Sequence, residues 1–122
     1  MKRIVMRTQN QVFEIDLNDS DTANAIWLAL PFEAYVNVWG EEIYFEIPVE
    51  MPIENGRTLM KIGEVAFWPN GSALCFFFGP TPVSADGTPT AVSDVSPVGM
   101  VLGDAKELKK VGDRIRVSLI KG

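Results

Sequence analysis

The segment Leu74-Cys75-Phe76-Phe77-Phe78 constrains the fold most, because side chains alternate across a strand and both faces of this one are apolar. Leu74, Phe76 and Phe78 fall on one face, and Cys75 and Phe77 on the other. Such a strand has to be covered on both sides, which places it inside a β domain rather than at an exposed edge. It belongs to a longer run, Glu64 to Pro82, in which Val65 to Trp68 forms a partner strand and Pro69-Asn70-Gly71-Ser72 the turn between them. One cover is the hydrophobic core. The other is a loop, a second subunit or a ligand.

The rest of the chain has the same β character. Ile4 to Thr8 and Val12 to Leu17 flank Gln9-Asn10, and Phe13, Ile15 and Leu17 alternate with Glu14 and Asp16, the pattern of a half-buried hairpin. Asp19 or Ser20 can cap a helix carrying Ala23, Ile26, Trp27 and Leu30 at helical spacing, and Pro31 stops it. Ala34, Val36 and Val38 alternate with polar and aromatic residues; after Gly40-Glu41-Glu42 the alternation resumes through Ile43, Phe45 and Ile47, predicting a second hairpin. Val49 to Lys61, with Pro52 and Asn55-Gly56, reads as a connecting loop, and Gly79 to Ser96 as a longer polar loop placed to act as a lid. Val98 to Leu102 then predicts a strand, Asp104 caps a short helix through Lys109, and Arg114 to Ile120 is a last strand. About eight strands and two helices favour a closed barrel, since closure removes exposed edges.

A chain of 122 residues holds one ordinary core, so residues 1–122 are expected to form a single domain. The net charge of −5 argues against a nucleic-acid partner, and the basic residues form no stripe, with Lys2, Arg3 and Arg7 N-terminal and Lys106, Lys109 and Lys110 far along the chain. Glu41, Glu42, Glu46, Glu50, Glu54 and Glu64 face only Arg57 and Lys61 in their stretch, a bias that either selects a cationic partner or simply keeps an acidic face solvated. No apolar run has the length of a membrane span, and the N-terminus lacks a signal-peptide core; a cytoplasmic protein is expected.

With no histidine in the sequence, neither the usual zinc sites nor a Ser-His-Asp or Cys-His relay can be assembled, and no metal or cofactor is expected. Cys75, the single cysteine, sits mid-strand with no cation nearby in sequence, so inert packing is its expected state. Glu41 and Glu42 are adjacent on a turn and point apart, unlike the facing carboxylates of glycosidases. Gly63 and Gly71 lack the Lys-Ser/Thr ending of a phosphate loop.

Val65-Ala66-Phe67 leading to Asn70-Gly71-Ser72-Ala73-Leu74-Cys75-Phe76, followed later by Val98-Gly99-Met100-Val101, Gly103 and Leu108-Lys109-Lys110, resembles the cyclophilins, and more closely a small prokaryotic cyclophilin-like family. The resemblance implies a mostly β fold: a closed eight-stranded antiparallel barrel with two short capping helices. It also implies where a site lies, but not the isomerase activity. The cyclophilin glutamine after Asn-Gly-Ser is Ala73 here, the pocket phenylalanine is Cys75, and Val95 stands at the late histidine. The expectation is a domain that binds a small molecule or peptide without ordinary prolyl-isomerase activity, using Trp68, Asn70, Cys75 and Phe77. An atypical isomerase would instead centre on Arg57 with Met60, Phe67 and Phe77, and a homodimeric interaction module would use the second apolar face as its contact.

Overall fold

A computed structural model of the chain describes residues 2–122. The opening hairpin is β1 (Arg3–Arg7) and β2 (Val12–Leu17), paired from Arg3 opposite Asp16 to Arg7 opposite Val12. Alternation buries Ile4, Met6, Phe13, Ile15 and Leu17, while Glu14 and Asp16 stay on the outer face and pair with Arg3. Helix α1 (Asp21–Ala29) begins at Ser20, whose side chain accepts a hydrogen bond from the Ala23 N–H at 3.1 Å. Its first turn has a second cap from far along the chain: the Glu54 carboxylate accepts from the N–H groups of Asp21 at 3.2 Å and Thr22 at 2.9 Å. A negative charge there complements the positive end of the helix dipole. Ala23 and Ile26 dock the helix onto the core.

The remaining strands are β3 (Phe32–Tyr35), β4 (Asn37–Val38), β5 (Glu42–Glu46), β6 (Arg57–Leu59), β7 (Glu64–Trp68), β8 (Ala73–Phe77), β9 (Thr90–Val101) and β10 (Arg116–Lys121). They form one antiparallel sheet in the order β3-β10-β1-β2-β9-β7-β8-β5-β4, with β6 added on β9. The two end strands, β3 and β4, are consecutive in the chain with Val36 alone between them, so the sheet curls until its ends share a residue. Val36 itself bonds to the entry of β10, its N–H donating to Ile115 and its carbonyl accepting from Arg114. Leu74, Phe76, Phe45 and Phe67 point into the main core, where the Phe45 and Phe76 rings lie 5.7 Å apart. Each such side chain contributes roughly 1.5–3 kcal/mol by leaving water. Asp104 caps the short 3-10 helix Ala105–Lys110 by accepting from the Lys106 N–H at 3.0 Å, and Ala105 and Leu108 close that end of the core.

Three sequence expectations need correction. The predicted eight strands are ten segments, because the first arm of the expected second hairpin is divided, β3 pairing with β10 and only β4 with β5, and because β6 is added. Val49 to Lys61 is not all loop, since Arg57–Leu59 is a strand. The long loop after Gly79 ends at Thr90 rather than Ser96, where β9 begins. The strand β9 does two jobs. Thr90 to Val95 pairs with β6, and Ser96 to Val101 pairs with β7 and β2, with an irregularity opposite Val65 and Ala66 that bends it. Gly99 is required at the β2–β9 contact: a Cβ there would stand 2.2 Å from the Asp16 carbonyl oxygen.

The hydrogen bonds from Thr22 hold the Glu54 carboxyl below its ordinary value of 4.5. A lowered native pKa adds stability above the unfolded value and loses it as pH falls through the native one. Glu54→Gln is therefore expected to lower the thermal midpoint at neutral pH, with the gap to wild type narrowing below about pH 4.5. Melts across a pH series test this, and a gap independent of pH would refute the charge-capping role.

Candidate functional site

The second face of β8 is dry, and its cover comes from the same chain. Ala73, Cys75 and Phe77 form a cluster with Met60, Ala66, Ala91 and Val95, against which Tyr44 and Trp68 pack. The strand β6 and the first half of β9 lie across this face as a flap. Register arranges the rows: Tyr44 stands opposite Cys75 and Cys75 opposite Ala66, while Ala73 lies between Glu46 and Trp68. Beside them, Glu42 stands opposite Phe77.

The flap borders a cavity of about 210 Å³. Its floor is Cys75 and its aromatic walls are Trp39, Tyr44 and Trp68. Ala91, Val92 and Val95 of β9 form the apolar side, and Glu42 is the only charged residue in the lining among the described residues. Local structure explains each placement. Trp39 and Glu42 bracket the two-residue turn Gly40-Glu41, exchanging backbone hydrogen bonds of 2.9 and 3.2 Å, so their side chains project from the same face. The Trp68 indole donates to the Ser93 hydroxyl at 2.8 Å, which ties the wall to the flap. Gly71 makes room for that ring, since a Cβ at 71 would lie 2.7 Å from two of its carbons.

Glu42 is 5% exposed, and its Oε1 is the one buried side-chain oxygen or nitrogen without a hydrogen-bond partner among the described residues. Burial raises its pKa to about 7, with the neighbouring Cys75 thiol acting in the opposite direction. Burial and then the Glu42 charge push the Cys75 thiol well above its ordinary value, so it stays protonated.

The residues named from sequence are divided by the structure. Trp68 and Cys75 line the cavity. Phe77 and Met60 are buried in the cluster beneath it. Phe67 points the other way, into the main core, because it is one residue out of phase with Ala66 and Trp68. Asn70 is exposed on the 3-10 turn Pro69–Gly71. Arg57 lies on the flap, where its guanidinium makes a two-pronged pair with the Glu64 carboxylate, including a 2.9 Å bond from Nη1 to Oε1. The same Nη1 donates to the Leu59 carbonyl at 2.8 Å. Glu42, Trp39 and Tyr44 were missed. Their signal was parity: Glu42 shares its face with Tyr44, opposite to core residues Ile43 and Phe45.

The family model for cyclophilin-like proteins matches residues 2–119, and the chain belongs to that family. Its structure is similar to the solution structure of a hypothetical protein from Archaeoglobus fulgidus, with a TM-score of 0.83 and 34% sequence identity over 99% of this chain and 95% of that one. No match is found among curated proteins.

A buried carboxyl with a raised pKa opposes folding once it must ionise. The unfolded chain releases this proton near 4.5 and the folded chain near 7, so stability falls between those values and the penalty then levels off. Glu42→Gln is expected to remove that decline, making the variant more stable than wild type above neutrality by a difference on the order of 1–3 kcal/mol. Urea unfolding of both proteins across pH is the measurement. Parallel curves would show that Glu42 is solvated in both states.

Proposed function

We propose that this cyclophilin-like protein is a binding domain for a small molecule or a short peptide group, that it lacks ordinary prolyl-isomerase activity, and that it works in the cytoplasm. The observation that carries the reading is the cavity under the flap: aromatic walls, an apolar side and one carboxylate, that of Glu42. Pockets that bind small ligands share this design, with apolar walls supplying affinity and a few polar groups fixing orientation. A neutral, buried Cys75 suits a reducing compartment.

The chemistry of prolyl isomerisation supports the second part. The reaction has a barrier of about 18–20 kcal/mol, and lowering it without covalent steps calls for a donor aimed at the substrate and an apolar seat for the proline. Arg57 is the mid-chain arginine, and its Nη1 and Nη2 are turned to Glu64 and the Leu59 carbonyl. Met60, which would help seat the proline, is buried under the flap.

A metabolite, fragment and peptide library screened by nuclear magnetic resonance should yield a binder that shifts signals of Trp39, Tyr44 and Trp68. Trp68→Ala should weaken that binder by about tenfold or more, as expected for the loss of an aromatic wall worth one or two kcal/mol. In a proline-peptide assay, wild type and Arg57→Ala should both run at the uncatalysed rate. A silent screen would refute the binding role, and an Arg57-dependent rate above background would replace it with catalysis.

A further inference from the structure

Resting on that binding role, we infer that the cavity receives a compact organic ammonium group, a protonated primary amine whose N–H donates to the Glu42 carboxylate while its short carbon chain lies against Trp39, Tyr44 and Trp68. The polar requirement of the site is for a donor. Glu42 lines the cavity, its Oε1 accepts nothing from the protein among the described residues, and a buried acceptor left unpaired is costly, a cost that is removed when the carboxylate turns to meet a ligand N–H.

The charge requirement has the same sign. Glu42 on β5 has only Tyr44 of its own strand and Cys75 of β8 as titratable neighbours in the lining. The contributions from β7 and β9 are Trp68, Ala91, Val92 and Val95, which carry no charge. The cationic group on the flap, Arg57, is held by Glu64, at the opposite end of β7 from Trp68. Among the described residues no lysine or arginine lines the cavity, so ionised Glu42 takes its counter-charge from the occupant. Aromatic walls add to this preference, since the negative faces of Trp and Tyr rings attract cations. The net charge of −5 raises the local concentration of cations around the protein.

Size limits the ligand. A cavity of about 210 Å³ lies below the roughly 300–1,000 Å³ of sites for drug-sized molecules, which leaves space for an amine of a few carbons or for the amine end of a longer molecule. Binding also displaces a proton. Glu42, which titrates at about 7 in the free protein, is driven to its ionised form by an ammonium partner, so affinity should fall as pH is lowered below that value.

The experiment compares n-butylammonium chloride with butan-1-ol, probes of similar shape that differ in charge, on isotope-labelled protein. At about pH 8 the amine should bind roughly tenfold tighter than the alcohol, the increment expected of a charge-assisted hydrogen bond. Glu42→Gln should make the two probes equal. Because that variant alters the site, the wild type at about pH 5 supplies an independent check: protonation of Glu42 should remove the preference there too. Equal binding of both probes to wild type at the higher pH, or a preference that survives both Glu42→Gln and acid, overturns the ammonium assignment while leaving the cavity a binding site. If neither probe binds but an uncharged member of the screened library does, the assignment again fails alone. If nothing binds at all, the binding role fails with it.

Discussion

Two dry faces on one strand govern this structure. The face of β8 that carries Leu74 and Phe76 fills the curled sheet, and its burial resembles that of any antiparallel core. The other face would be an exposed apolar patch if the sheet were the whole fold. A second layer is therefore needed, and the chain supplies it by extending β9 past the sheet and pairing the extension with β6. The bend in β9 makes this feasible. Its irregularity opposite Val65 and Ala66 re-aims the first half of the strand over its neighbours, with Pro97 placed at the bend, where the loss of one ladder donor does least harm.

Holding the flap down is an electrostatic as well as an apolar matter. Arg57 on β6 reaches Glu64 on β7, and Lys61 donates its backbone N–H to the same carboxylate at 3.0 Å. Burial alone would raise the Glu64 carboxyl, but the Arg57 guanidinium and the Lys61 N–H outweigh it and the net shift is downward. At the other end, Trp68 is bonded to Ser93 on the flap. The two attachments bracket the small residues between them. The cavity is what remains over Cys75, between the aromatic walls and the small residues of the flap.

Most of the sheet was legible because its signals are local and strong. The alternation of β1 and β2, the Ser20 and Asp104 caps and the turn after Trp68 each specify structure within a few residues. The flap was hidden for physical reasons. Ala91, Ser93 and Val95 do alternate toward the cluster, but they are small, and a strand of small residues among Thr, Ser and Asp resembles a loop in composition. Arg57–Leu59 is too short to show a period. Glu42 was misjudged by treating Gly40-Glu41-Glu42 as one turn: the turn is Gly40-Glu41, and Glu42 already belongs to β5, with its side chain fixed by strand parity. What no local pattern could give is the burial of that carboxylate, which depends on a flap formed some fifty residues later in the chain.

The same covered face explains how a cyclophilin-like sheet can enclose a cavity of this character. Cys75 and Ala73 stand where the family resemblance would place a phenylalanine and a glutamine, and Ala66 neighbours Cys75 in the adjacent strand. Phenylalanine at 75 would fill the floor of the cavity, and glutamine at 73 would add a donor and acceptor on the same face. With Cys and Ala there, the floor is low and apolar, and the polar work passes to Glu42 at the neighbouring strand. An exchange of this kind alters both shape and charge: a seat for a neutral proline ring becomes a narrow recess governed by one acid. Restoring bulk with Cys75→Phe would meet the Glu42 side and the aromatic walls at once, so the small residues and the buried carboxylate form a single arrangement in which each is useful because of the other.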